Sequence, residues 1–215
     1  MSRTIWIFAG FVALAAVPVG SSAQSKVELA PHIGFYLPLK AAVRESTPEG
    51  ATLLEKRQVG ALAFGGRMAV RTYRRLWTEV TLNYSPSLTA VSENNRTFDN
   101  DGGVFLASAR AVWRIARSSG KPGAPQFQLG SGAALINRFG KAWDDHTGTT
   151  DLAWVNGVAA RVPLGKTSPI QVRFEIENYT SRVQFGVDGA VTRARLNHDL
   201  IWSLGFEIPM RGDSR

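Results

Sequence analysis

From residue 27 onward, apolar and polar residues alternate with a period of two, the signature of strands with one apolar face. Val27 to Leu37 places Val27, Leu29, Ile33, Phe35 and Leu37 opposite Glu28, Ala30, His32, Gly34 and Tyr36. Val59 to Val70 sets Leu62, Phe64 and Met68 against Ala63, Gly65 and Arg67. Leu76 to Leu88 sets Val80, Leu82 and Tyr84 against Glu79, Thr81 and Asn83, and Val104 to Ile115 sets Phe105, Ala109 and Trp113 against Ser108, Arg110 and Arg114. Four further segments repeat the pattern: Gln126 to Arg138, Leu152 to Leu164, Ile170 to Tyr179 and Leu196 to Ile208. Each is long enough for a tilted strand to cross a bilayer, which takes about 9–11 residues.

The links between these segments alternate in length. Arg71–Arg75, Ala116–Pro125 and Gly165–Pro169 are short; Pro38–Gln58, Thr89–Gly103, Phe139–Asp151 and Thr180–Arg195 are longer. An up-and-down barrel with turns at one end and loops at the other has this rhythm. The expected fold is therefore all-β: one eight-stranded antiparallel up-and-down transmembrane β-barrel over residues 24–215, with no linker to suggest a second domain.

The first 23 residues read differently. Arg3 precedes an uncharged apolar run from Ile5 to Val17, Pro18 and Gly20 break it, and Ser21-Ser22-Ala23 offers small residues for cleavage. This is the layout of a secretory signal peptide over residues 1–23. Its apolar run is shorter than the ~18 residues of a spanning helix.

Alternation alone does not say which face is inside. A soluble lipid-binding barrel turns its apolar face inward around a ligand. The charges favour the opposite arrangement. All six lysines lie in links or at a strand margin, whereas the strands carry Arg67, Glu79, Arg110, Arg114, Arg161, Arg173, Glu175, Glu177 and Glu207 on their polar faces. Arginine suits confined space because its planar fork satisfies several acceptors at once. Glycine and alanine fill much of the same face. These nine residues are expected to form a charge network in a narrow lumen that side chains fill. Such a lumen is not a general pore. Aromatics support the placement: Phe35, Tyr84 and Trp154 fall toward the long-loop end of the apolar face, and Trp113, Phe127 and Phe206 toward the short-turn end, as two interfacial bands would. Phe64, Phe174 and Trp202 lie outside those bands.

Composition narrows the function. The chain of 215 residues has no cysteine, which excludes disulfides, thiolate catalysis and cysteine-ligated metals. Its net charge of +8 falls to about +7 without Arg3. In an exported chain this favours an anionic membrane surface over nucleic acid. Basic residues gather at the short turns (Arg71, Arg74, Arg75, Arg117, Lys121, Lys166), where lipid phosphates would meet them if those turns are periplasmic.

Candidate chemistry is sparse. His198 and Asp199 are neighbours in a strand and point to opposite faces. Asp144, Asp145 and His146 lack a fourth ligand, and Glu175 with Glu177 sits among arginines. Arg211-Gly212-Asp213 and the triplets at Asn95 and Asn178 are weak signals, and no phosphate-binding loop occurs. No enzyme activity and no cofactor or metal is expected.

The chain resembles the small outer-membrane β-barrels of diderm bacteria, the group of OmpA-like and OmpX-like barrels. The resemblance is carried by Ala30-Pro31-His32-Ile33-Gly34-Phe35-Tyr36, Leu129-Gly130-Ser131-Gly132-Ala133-Ala134, Gly157-Val158-Ala159-Ala160-Arg161-Val162-Pro163-Leu164 and Ile170-Gln171-Val172-Arg173-Phe174-Glu175-Ile176-Glu177. It extends over residues 27–210. It implies an integral outer-membrane protein with a structural or surface-interaction role. Outer-membrane lipids and the assembly machinery would be its partners, an extracellular partner would be met through the long loops, and the protein would be a monomer. Barrels of this kind often end on a terminal aromatic; here Phe206 is the last strand aromatic and Pro209 to Arg215 follow. Two alternatives stay open at this point: a soluble periplasmic barrel binding a hydrophobic ligand, and an outer-membrane lipid-modifying enzyme that would use His198.

Overall fold

A computed structural model describes residues 27–46, 52–93, 96–115, 124–144, 146–147, 149–165, 168–183, 186–187, 190–191 and 195–210. The signal-peptide expectation for residues 1–23 lies outside them, as do Asp145 and the Arg211-Gly212-Asp213 tripeptide.

Eight long antiparallel strands form the wall: Val27–Pro38, Ala61–Tyr73, Leu76–Glu93, Arg96–Arg114, Gln126–Phe139, Thr150–Pro163, Gln171–Val183 and Arg195–Met210. We call them the first to eighth strands. Each pairs with the next, and the first pairs with the eighth, with Phe35 opposite Trp202 and Ile33 opposite Leu204. The sheet is closed, so every backbone donor and acceptor of the wall has a neighbouring strand to meet, as a hydrocarbon environment requires.

The alternation sorts the two faces by chemistry. Leu62 (54% exposed), Trp154 (56%) and Leu204 (52%) point outward, while Arg67, Asp151, Arg161, Asp199 and Glu207 of the same strands are buried in the interior. This is the reverse of a soluble lipid-binding barrel, whose interior is apolar. On the outer face Phe35 and Trp202 rings lie 6.1 Å apart, and Tyr84 stacks on Phe139 at 6.1 Å. Trp202, which fell outside the expected bands, thus stands beside Phe35 in the band nearer the long loops.

The long-loop end departs from the expected boundaries. The third and fourth strands do not stop near Leu88 and Val104; they continue as one hairpin through the expected loop Thr89–Gly103, pairing as far as Glu93 with Arg96. The expected loop Pro38–Gln58 holds its own hairpin, Val43–Ser46 with Thr52–Gln58, and the second of these pieces pairs with Thr89–Glu93. Along Arg96–Asp101 the residues of both strand faces are mostly polar, so apolar alternation fades while backbone pairing continues. A 3-10 turn at Lys141–Trp143 and a small sheet of His146–Thr147, Gly186–Val187 and Ala190–Val191 lie in the fifth and seventh links. At the other end, the turn after Tyr73 places Arg74 at φ 37°, a left-handed conformation without glycine.

Candidate functional site: the charged interior

The interior polar groups stack in layers. Nearest the short turns, Glu28 and Glu207 face Arg114 and Arg161. Arg114 donates to Glu28 at 3.0 and 2.5 Å and to Glu207 at 3.2 Å. Arg161 reaches Glu28 at 3.1 Å and also pairs with Glu207. With its oxygen turned toward the guanidinium groups, Gln128 accepts from Arg161 at 3.1 Å and from Arg114 at 3.2 Å. The Arg114 guanidinium also lies over the Trp77 ring, 3.3 Å from its centroid, a cation–π contact.

The next layer joins three arginines to three glutamates from four strands. Arg67 reaches Glu175 at 2.9 Å, Glu177 at 3.4 Å and Glu79 at 3.6 Å. Arg110 reaches Glu177 at 2.7 Å and Glu175 at 2.9 Å, and pairs with Glu79 as well. Arg173 reaches Glu79 at 2.6 Å and Glu175 at 2.8 Å, and at 3.6 Å touches Glu207 of the layer below. All six side chains are buried. Their formal charges cancel, which is what permits so many ions away from water. Gly157 makes room for them: a Cβ there would lie 2.5 Å from Arg110 Nη1 and 3.0 Å from Glu175 Oε1.

Further buried side chains extend this network. Glu177 accepts from the Tyr179 hydroxyl at 3.3 Å, Tyr179 accepts from Asn83 at 3.4 Å, and Asn83 Oδ1 meets His32 Nε2 at 2.6 Å. Arg67 also donates to Ser203 at 3.2 Å.

All nine residues read from the sequence therefore face the interior. Sequence reasoning missed further members. Glu28 joins the lowest layer, and a separate group toward the long loops has Arg138 donating to Asp151 at 2.5 Å and Asp199 at 2.9 Å. It also missed an apolar cluster of buried interior side chains, including Leu106, Ile136, Val155 and Ile201. The parity of these residues was readable, but their apolar neighbours on the other face hid the alternation.

On the outer wall, His198 Nδ1 lies 3.2 Å from the Thr180 hydroxyl. Asp199 turns inward to Arg138, so it does not orient that imidazole. Asp144 is exposed in its loop.

No protein-family model matches the sequence, and comparison with curated proteins finds no relative. Solved structures do match. The outer-membrane protein AlkL, determined by solid-state NMR in lipid bilayers, is 14% identical, with a TM-score of 0.54 over 93% of this chain and 97% of that one. Neisserial surface protein A is 13% identical, with a TM-score of 0.48 over 86% of this chain and 97% of that one. The attachment invasion locus protein Ail of Yersinia pestis, solved with a heparin analogue, is 11% identical, with a TM-score of 0.40 over 86% of this chain and all of that one. The likeness of fold rests on AlkL, which matches this chain along nearly its whole length.

Proposed function

With the fold of a small outer-membrane β-barrel as premise, we propose that this chain is an integral outer-membrane protein with a structural or surface-interaction role and a sealed lumen, neither an enzyme nor a general pore. The observation that carries the reading is the buried cluster of Arg67, Arg110 and Arg173 with Glu79, Glu175 and Glu177. A water-filled channel would leave these charges solvated; here they use one another as partners. The apolar cluster around Leu106, Ile136 and Ile201 supports the same conclusion, since it offers a permeating ion no ligand. Outer-membrane lipids surround the apolar wall, the assembly machinery receives the closing strand Arg195–Met210, and the monomer meets any extracellular partner through the hairpins at the long-loop end.

Two experiments test this. Cell fractionation should recover the protein in the outer-membrane fraction, with gel migration that changes on boiling; recovery in the soluble periplasm without detergent would overturn the membrane placement. In planar bilayers the purified barrel should give no steady conductance steps, and porin-sized steps would overturn the sealed lumen.

A specific contact supports a second reading. The Thr180 hydroxyl beside His198 on the outer wall pairs a hydroxyl with a base, the first requirement for a nucleophile acting on lipid. We rank it below the non-catalytic reading because the neighbouring carboxylate, Asp199, is engaged inside the barrel.

A further inference from the structure

At the long-loop end, a cavity of about 250 Å³ opens between the first loop and the seventh and eighth strands. Lys40, Arg57 and Arg195 line it, all three exposed, against one carboxylate, Glu55, which already has a partner of its own. Even with that carboxylate fully spent on one cation, the cavity keeps a surplus of positive charge. Its inner side holds Asn197, which is 3% exposed, and the apolar Val183. Asn197 Nδ2 donates to Asp199 Oδ1 at 3.4 Å, which fixes the orientation of the amide. Its Oδ1 is buried and accepts from no group among the described residues.

These two observations ask for different things. Clustered guanidinium and ammonium groups at a cavity mouth attract an anion, and arginine in particular grips phosphate or carboxylate with paired N–H donors. A buried carbonyl oxygen without a partner asks for a donor. A bare anion answers only the first. A sugar bearing a phosphate or carboxylate answers both, with its charge on the cations and a hydroxyl donating to Asn197 Oδ1. The cavity lies just under the ~300–1,000 Å³ of drug-sized sites, so it takes one such unit.

We propose that this cavity binds an anionic sugar unit, held by Lys40, Arg57 and Arg195 through its charge and by Asn197 through a hydroxyl. The inference deepens the surface-interaction reading and rests on it for the source of the ligand, which is either the headgroup of a phosphorylated glycolipid in the surrounding leaflet or a free acidic saccharide.

The test uses the full mature barrel in detergent micelles, with glucose 1-phosphate, glucose and inorganic phosphate as calorimetric probes. Glucose 1-phosphate should bind, and glucose should bind at least roughly tenfold more weakly. The double variant R57Q/R195Q should weaken glucose 1-phosphate by a similar factor. Asn197→Ala should weaken glucose 1-phosphate while leaving inorganic phosphate unchanged, a difference that a general loss of charge would not produce. Boiling-dependent gel migration checks that each variant still closes. A second arm places the barrel in nanodiscs with or without a phosphorylated glycolipid and reads lipid retention by native mass spectrometry. Retention of the glycolipid, lost in R57Q/R195Q, supports the site and assigns the headgroup as its source; binding of the free sugar phosphate alone supports the site and assigns a free saccharide. The proposal is overturned if neither glucose 1-phosphate nor the glycolipid binds, if binding ignores the charge variants, or if Asn197→Ala leaves glucose 1-phosphate binding unchanged. Fractionation answers separately for the membrane reading, since micelle binding does not depend on where the protein resides in the cell.

Discussion

Arg110, on the fourth strand, holds Glu177, on the seventh, at 2.7 Å across the inside of the barrel. Neither strand is the other's neighbour in the wall. The pair therefore braces the cross-section, a task that backbone ladders between adjacent strands do not perform. Removing one member leaves its partners charged and buried, which costs more than the pair itself contributes. Arg110→Met should cost roughly 3–5 kcal/mol. Adding Glu177→Gln to it should recover part of that loss. Urea titration in micelles, followed by boiling-dependent gel migration, measures both; equal stability of single and double variants would contradict the bracing role.

Gly157 gives a steric version of the same test. Its missing Cβ is the space that Arg110 Nη1 and Glu175 Oε1 occupy. Gly157→Val should displace both ends of the cluster and lower the urea midpoint about as far as Arg110→Met. A valine that leaves the midpoint untouched would show that the cluster rearranges freely.

Leu204 faces outward from the eighth strand and is half exposed. If lipid surrounds it, Leu204→Arg should cost about 2–4 kcal/mol near the bilayer midplane and less toward the interfaces. Folding titrations in lipid vesicles read this directly. A neutral effect would place that face in water.

Arg74 holds a positive φ in the tight turn between the second and third strands. A side chain with a Cβ is disfavoured there by roughly 1–2 kcal/mol, and glycine is not. Arg74→Gly should therefore stabilise the barrel slightly, by at most about 1 kcal/mol once the freer unfolded chain is counted. A loss of stability would point instead to the Arg74 side chain, which lies 5.4 Å from the Tyr73 ring centre.

His198 is the residue on which a lipid-modifying activity would turn. Under the non-catalytic reading, His198→Ala leaves the mass spectrum of lipid A unchanged in cells that express the protein. A mass change caused by the wild type and abolished by the variant would make Thr180 and His198 a catalytic pair.

Much of the fold was legible because the outer and inner faces of the closed wall carry opposite chemistry on alternate residues. Leu62, Phe64 and Met68 could be set against Ala63, Gly65 and Arg67 from the sequence alone, and so could the inward charges of the second, third, fourth, sixth, seventh and eighth strands. The alternation goes silent where both faces are apolar. Phe105-Leu106, Leu135-Ile136 and Leu200-Ile201 each place an outward-facing apolar residue beside an interior one, so the interior apolar cluster had no signature. It also goes silent where both faces are polar, as along Arg96–Asp101, which is why the hairpin from Thr89 to Gly103 read as a loop. Glu28, Asp151 and Asp199 stand near strand ends, where a lone carboxylate reads equally as an interfacial residue. Which arginine meets which glutamate depends on strand stagger around a closed sheet, and a linear pattern carries no such information.

Closure of the first strand on the eighth has a consequence for the order of assembly. The inward charges of the first four strands are Arg67, Arg110 and Arg114 against Glu28 and Glu79, a positive excess. Those of the last four are Arg138, Arg161 and Arg173 against Asp151, Glu175, Glu177, Asp199 and Glu207, a negative excess. A half-formed sheet thus shows net charge on the surface that ends inside, one positive charge in excess on the first half and two negative on the second. The opposite signs mean that Coulomb attraction between the halves favours the closed ring over either half-sheet alone.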